Sequence, residues 1–316
     1  MRICRSLATV SCTVSIFLAG CERMPEPASA DDLRRATCTF WHDDGNSNMH
    51  LMGGGVLVGF EEHGKRRAFC LTARHVAVSS RYRGIGGKLF ANPGKTIIRI
   101  ENESGSVPLR CTIAPVRWMT GGIEHDLAWF EFTEEEIREM ERAGGRVIAL
   151  GMDMAGTLLK SRNGWYLAGT AAIGRDAAMK VDMANGMDVL VFCGRWRYLD
   201  GSTGRGTLVT NIHAKVLKVI QPVEMTSENT GLCFPSSVTA NQIMVEASLL
   251  NGDSGLSSFA WLRTGHREYP FAIGVNSLSK GARACVMPID EMMKRIAGRN
   301  EIRLQDFPGV EPCHGR

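Results

Sequence analysis

Short apolar runs, each cut off by glycine, asparagine or proline, constrain this chain more than any other feature. Gly55-Val56-Leu57-Val58-Gly59-Phe60, Arg67 to Thr72, Lys95 to Glu101 and Leu127 to Phe132 alternate or run apolar over the length of a strand. The second half repeats the pattern in Trp165 to Thr170, Met187 to Cys193, Thr207 to Ile220, Gln242 to Leu249 and Phe271 to Asn276. With 35 glycines in 316 residues and few aromatics, the chain reads as many short strands joined by tight turns. Two helices interrupt this. Glu134 to Ala143 is opened by a capping box, Thr133 with Glu136, and stopped by Gly144-Gly145. Pro288 to Arg299 places Ile289, Met292, Met293 and Ile296 on one face, with Pro288 near its first turn. The expected class is all-β.

One turn stands out by its chemistry. Gly252-Asp253-Ser254-Gly255 lies between the apolar runs Met244 to Leu250 and Ser257 to Trp261. A serine between two glycines at a tight turn can expose its hydroxyl, and the Gly252 and Ser254 N–H groups can face one concavity and bind a developing oxyanion. A serine hydroxyl is a poor nucleophile at neutral pH and needs a base within hydrogen-bond reach. His75, at the end of the run Ala68 to Val76, would take that proton and return it to a leaving amine. An imidazole, with an ordinary pKa of about 6.5, can do both. Asp126, which opens the run to Phe132, would hold the other ring nitrogen and stabilise the imidazolium. The chain order His, Asp, Ser is one of the three orders in which such a constellation recurs.

These residues resemble a known family. Thr72-Ala73-Arg74-His75-Val76 resembles the T-A-x-H-x motif of the trypsin-like (chymotrypsin-fold) serine peptidases, Asp126-Leu127-Ala128 their D-[IL]-A motif, and Gly252-Asp253-Ser254-Gly255 their G-D-S-G motif. The resemblance runs from about Cys38 to Gly298. It implies an all-β fold of two packed six-stranded Greek-key barrels (chymotrypsin-like) with a C-terminal helix. The peptidase domain would span 38–300, its barrels about 38–150 and 151–300, with 301–316 a tail. It also implies a serine endopeptidase that works through an acyl-enzyme on His75, Asp126 and Ser254, with an oxyanion hole from Gly252 and Ser254 and no cofactor. Six residues before the nucleophile, Ser248 falls at the floor of the primary substrate pocket, and a neutral serine there suits apolar or aromatic side chains better than Lys or Arg. Gly274 to Leu278 would form the pocket wall, Asn276 adding a polar contact to substrate. Leu256 and Ser257 depart from the family, which usually has glycine and often proline after G-D-S-G. Many secreted members bury a new amino terminus against the aspartate of that motif, here Asp253.

The amino terminus reads as an export segment. Arg2 and Arg5 give a positive start, Ser6 to Ala19 are mostly apolar or small, and the run is too short to span a bilayer. Leu18-Ala19-Gly20-Cys21 resembles the bacterial lipobox. That implies a signal peptide over 1–20 and lipidation at Cys21, hence a membrane anchor on the periplasmic side or at the cell surface. More than one acyl chain is needed, at roughly 0.8 kcal/mol per buried methylene. Residues 21–37, with two prolines and no apolar periodicity, read as a tether.

Beyond the export segment, seven cysteines remain (Cys38, Cys70, Cys111, Cys193, Cys233, Cys285 and Cys313). An oxidising compartment permits up to three bridges whose pairing the sequence does not give. A bridge at Cys70 would brace the strand leading to His75, and a buried free thiol fits there equally. The net charge of +4 is spread without a basic block, which gives nucleic-acid binding no support. His42, Asp43, Asp44 and His50 lack the spacing of a metal site. The partners expected are a protein or peptide substrate and a membrane. The competing reading is a catalytically inactive peptidase-fold lipoprotein that binds peptides or a partner protein.

Overall fold

A computed structural model describes residues 30–304, apart from 44–48, 63–64, 78–94, 103–104, 113–116, 122–124, 150–159, 162–163, 166–187, 195–208, 226–237, 251, 265–266 and scattered positions between 290 and 300. The lipidation candidate Cys21 and the signal peptide lie outside the described residues.

The following elements among the described residues build the first lobe. They are α1 (Ala30–Arg35), β1 (Thr37–Asp43), β2 (Met49–Glu62), β3 (Lys65–Thr72), β4 (Lys95–Asn102), β5 (Gly105–Thr112), β6 (Met119–Thr120), β7 (Ala128–Glu131), α2 (Glu134–Arg142) and β8 (Ile148–Ala149). A two-residue pair, β9 (Lys160–Ser161) with β10 (Gly164–Trp165), follows. The second lobe holds β11 (Asp188–Gly194), β12 (Val209–Met225), β13 (Val238–Val245), β14 (Ser257–Thr264), β15 (Arg267–Lys280) and β16 (Arg283–Pro288), and β17 (Ile302–Arg303) returns to the first.

The second lobe closes into a barrel in the order β11-β12-β13-β16-β15-β14, antiparallel throughout. That is the six-stranded Greek-key arrangement expected. The first lobe departs from it. Among the described residues its strands run β17-β6-β7-β3-β2-β1-β4-β5, with β8 parallel to β2, and β5 does not pair with β7 to close the ring. The outer edge of β7 instead takes β6, and β6 takes β17. The expected tail is therefore folded at its start: Leu304 is buried and its N–H donates to the Trp118 carbonyl. The expected tether also ends early, because α1 carries Leu33 into the core with no exposed surface and Ala36 follows it.

Strand periodicity explains why these runs are apolar at successive positions. Along β2, Leu57 faces the interior of the first lobe with Phe40, Cys70, Ile98, Ile100 and Phe130. Its neighbours Val56 and Val58 face the other way, joining Phe69, Leu71 and Trp129 in one buried cluster with Leu256, Phe259, Val275 and Met287 of the second lobe. A sheet buried on both faces needs apolar residues on both. The closing run behaves as its spacing predicts: Ile289, Met292 and Ile296 are buried in that same interlobe cluster. At α2 the capping box is made, with the Thr133 hydroxyl accepting from the Glu136 N–H and the Glu136 carboxylate accepting from the Thr133 N–H.

Candidate active site

His75 and Asp126 are 51 residues apart and meet because their strands are neighbours. β3 and β7 pair antiparallel with Thr72 opposite Ala128, so the turn after β3 and the entry to β7 fall at the same end of the sheet. The His75 N–H donates to Asp126 Oδ1 at 3.0 Å, and Nδ1 lies 2.8 Å from Oδ2. Two bonds to one carboxylate fix the imidazole in place and in angle. Burial raises the Asp126 pKa, but the charge and hydrogen bond of His75, the charge of the buried Arg74 and a hydrogen bond from Ser277 outweigh it. The net result is a carboxyl held well below the usual range. An ionised carboxylate only accepts, so Nδ1 carries the ring proton and Nε2 keeps its lone pair for a base's work.

The third bond to Asp126 comes from a residue that sequence reasoning did not assign. Ser277 Oγ donates to Asp126 Oδ2 at 2.5 Å and is itself almost fully buried. It stands on β15, in the segment Gly274 to Leu278 read as pocket wall, and a lone serine there carries no motif of its own. The same residue also meets the nucleophile: Ser254 Oγ donates to the Ser277 carbonyl at 3.3 Å. Among the described residues, that is the hydroxyl's hydrogen bond, and His75 is not its partner. Such bonds often tighten only when substrate arrives.

Around Ser254 the backbone is held from both lobes. The Gly54 N–H of β2 donates to the Ser254 carbonyl at 2.8 Å, and the Thr72 hydroxyl holds the Gly54 carbonyl at 2.6 Å. Gly255 is required twice over. Its φ is +85°, and a Cβ there would sit 2.1 Å from the Gly54 carbonyl oxygen and 2.3 Å from Thr72 Oγ1. The departure at Leu256 is resolved by packing. Its side chain is fully buried in the interlobe cluster, and a Cβ on Gly54 would lie 2.1 Å from its Cδ2. Leu256 thus fills the space that the Gly53-Gly54-Gly55 stretch leaves open, a burial worth about 1.5–3 kcal/mol.

The turn before the nucleophile carries the two N–H groups expected to take an oxyanion, those of Gly252 and Ser254. Asp253 N–H donates to the Leu250 carbonyl at 3.0 Å, and Gly252 takes φ +99°, a conformation that favours glycine. Among the described residues neither the Gly252 nor the Ser254 N–H makes a hydrogen bond, although Gly252 is buried. The Asp253 carboxylate, 1% exposed, accepts the Leu250 N–H at 2.8 Å, a partner inside its own turn.

The two substrate contacts expected from sequence lie elsewhere. Asn276 is fully buried, its Oδ1 accepting from Ser258 Oγ at 2.9 Å and its Nδ2 donating to the Asp253 carbonyl at 3.4 Å. It faces the core because β15 alternates, and Ser277 takes the opposite face. Ser248 is exposed rather than enclosed at a pocket floor. Of the two readings open for Cys70, the structure has the buried thiol: Cys38, Cys70 and Cys285 are buried and not joined in disulfides, with the Cys38 and Cys70 sulfurs 3.4 Å apart. They meet across β2 at Gly55, where a Cβ would come 3.0 Å from Cys38 Sγ. No group of His, Cys, Asp and Glu with metal-site geometry occurs among the described residues.

No protein-family model and no curated protein matches the chain in sequence. Solved structures do match in shape. The MamO protease domain from Magnetospirillum magneticum aligns with TM-score 0.45 and 11% identity over 84% of this chain and 97% of that one. The active form of the Rv3671c protease from M. tuberculosis gives 0.44 and 12% over 93% and 96%. A mutant of human heparin binding protein (CAP37) gives 0.42 and 13% over 91% and 98%. Likeness this distant says nothing of activity, and the assignment of fold rests on the strand order and the interlobe seam. By those two features the chain has the two-lobed all-β fold of the chymotrypsin-like serine peptidases.

Proposed function

We propose that the chain is a serine endopeptidase, exported and lipid-anchored through Cys21. The observation that carries the reading is Asp126, buried and with its carboxyl held well below the usual range, bonded to both the backbone N–H and Nδ1 of His75 so that Nε2 keeps its lone pair for a base's work. In this reading Ser254 Oγ turns from the Ser277 carbonyl to His75, gives up its proton and attacks the scissile carbonyl. The Gly252 and Ser254 N–H groups take the developing oxyanion, each worth roughly 3–4 kcal/mol to the transition state. His75 then protonates the leaving amine, and a water activated by the same imidazole releases the acyl group. The substrate is a polypeptide. Among the described residues the buried carboxylates are Asp126 and Asp253, and both are engaged, so neither is left to receive a Lys or Arg side chain.

The test uses the full-length chain in detergent. Wild type and Ser254→Ala are treated with a fluorophosphonate probe and the labelled residue is read by mass spectrometry. Labelling at Ser254, absent in Ser254→Ala and weakened in His75→Ala, is expected. A folded wild type that takes no label overturns the reading. It would favour the second one, an inactive scaffold that binds peptides, which the present orientation of Ser254 Oγ toward Ser277 supports. Lipidation is tested separately by the mass of the mature amino-terminal peptide and its loss in Cys21→Ser.

A further inference from the structure

We infer that Asn276 is a positioning residue of the oxyanion site, clamping the Asp253 carbonyl and so aiming the Ser254 N–H. This rests on the serine-peptidase reading above. A trans peptide is a rigid plate whose carbonyl oxygen and N–H point opposite ways. Whatever fixes the oxygen of Asp253 therefore fixes the proton of Ser254. Two donors hold that oxygen: Asn276 Nδ2 at 3.4 Å and the Leu256 N–H at 3.2 Å. The Asn276 amide is oriented in turn by Ser258, whose hydroxyl donates to Oδ1 at 2.9 Å. Its backbone grips the far side of the nucleophile, the Gly255 N–H donating to the Asn276 carbonyl and the Asn276 N–H to the Leu256 carbonyl, each at 2.7 Å. One fully buried residue thus holds the chain both before and after Ser254. The other donor, the Gly252 N–H, is set independently, since the Leu250–Asp253 turn is closed by two hydrogen bonds of its own.

A residue so placed touches no substrate, which separates this role from the substrate contact first expected of it. Valine at this position suits the strand and fills similar volume, yet leaves the Ser258 hydroxyl and the Asp253 carbonyl each without this partner. Misaiming a donor, rather than deleting it, costs less than the loss of an oxyanion-hole hydrogen bond.

The experiment compares full-length wild type, Asn276→Val and Ser258→Ala in three measurements. These are kcat and KM on a peptide ester, affinity for a peptide boronate that places an oxygen in the oxyanion site, and amide hydrogen exchange at Gly255 and Leu256. In Asn276→Val, kcat is expected to fall about 10- to 100-fold with KM within about twofold, and boronate affinity to fall in step. Ser258→Ala, which retains Asn276 and removes only its orienting donor, should shift kcat the same way by about three- to tenfold. Exchange at Leu256 should rise in both. Wild-type kcat in the folded variants overturns the proposal, as does a raised KM with kcat unchanged. Where only Ser258→Ala folds, its kcat and exchange decide. A wild type that neither cleaves the ester nor binds the boronate defeats the peptidase reading instead. The clamp is then judged by exchange alone, and unchanged rates at Gly255 and Leu256 overturn it.

Discussion

The two halves of the site are held by different means. His75 and Asp126 flank strands of one sheet, and the register of β3 against β7 brings them together within the first lobe. Ser254 has no such support. It lies between β13 and β14, strands that pair with others and not with each other; the Gly54 N–H of the first lobe holds its carbonyl, and Asn276 of the second lobe bonds the residues on either side of it. The base is therefore a product of local sheet geometry and the nucleophile a product of the seam. Damage to the first lobe's register should disable the base selectively, while damage to the seam should disable the nucleophile and cost stability as well.

The largest expected effect breaks the pair on the sheet side. Asp126→Asn retains size but releases the tautomer, and kcat on a peptide ester should fall about 10³- to 10⁴-fold with little change in KM. The same variant has a pH signature. The Asp126 carboxyl is depressed in the fold, so its stabilising contribution is complete above the unfolded value of about 3.9 and is lost as pH falls below it. Thermal melts should show wild type losing Tm below about pH 4 more steeply than Asp126→Asn. Equal slopes would mean the carboxylate is not held as described.

Next comes the seam. Gly255→Ala drives a Cβ into the Gly54 carbonyl and strains a residue at φ +85°. Destabilisation of about 2–4 kcal/mol by denaturant titration is expected, with loss of probe labelling. The base is untouched by this change, so in the folded fraction the His75 Nδ1–H bonded to Asp126 should keep its wild-type proton resonance by NMR. A shifted or lost resonance would show the two halves to be more strongly coupled than the comparison holds.

Ser277→Ala sharpens the contrast, since Ser277 is the residue that touches both halves through Asp126 and the Ser254 hydroxyl. Its carbonyl survives the substitution, so only the bond to Asp126 is lost. A fall in kcat of about tenfold, measured on the same ester, is expected. The smallest effect lies away from the site. Thr133→Ala removes the α2 cap and should cost about 1 kcal/mol in thermal melting without changing kcat.

Much of this could be read from the chain alone. Strand periodicity gave the all-β class, Thr133 with Glu136 gave α2, and three short motifs singled out His75, Asp126 and Ser254. What escaped reading is instructive by residue. Ser277 and Asn276 are ordinary polar residues on one strand, and strand alternation says they face opposite ways without saying which way is inward. Register decided it: Asn276 turns to Ser258 and the Asp253 carbonyl, Ser277 to Asp126. The strand order of the first lobe was equally hidden, because β6 and β17 are two-residue strands and too short to leave a period.

Sequence by itself determined which chemical groups are present and which must sit at strand ends or tight turns, since backbone freedom at glycine and the two-residue alternation of strands are local properties. Tertiary structure alone decided which of those groups meet. Leu256 illustrates the division: as a letter it breaks a motif, and in the fold it fills the space above Gly54 and closes the seam on which the nucleophile rests. Contacts between residues two hundred positions apart depend on how two lobes pack, and no local pattern in either segment records them.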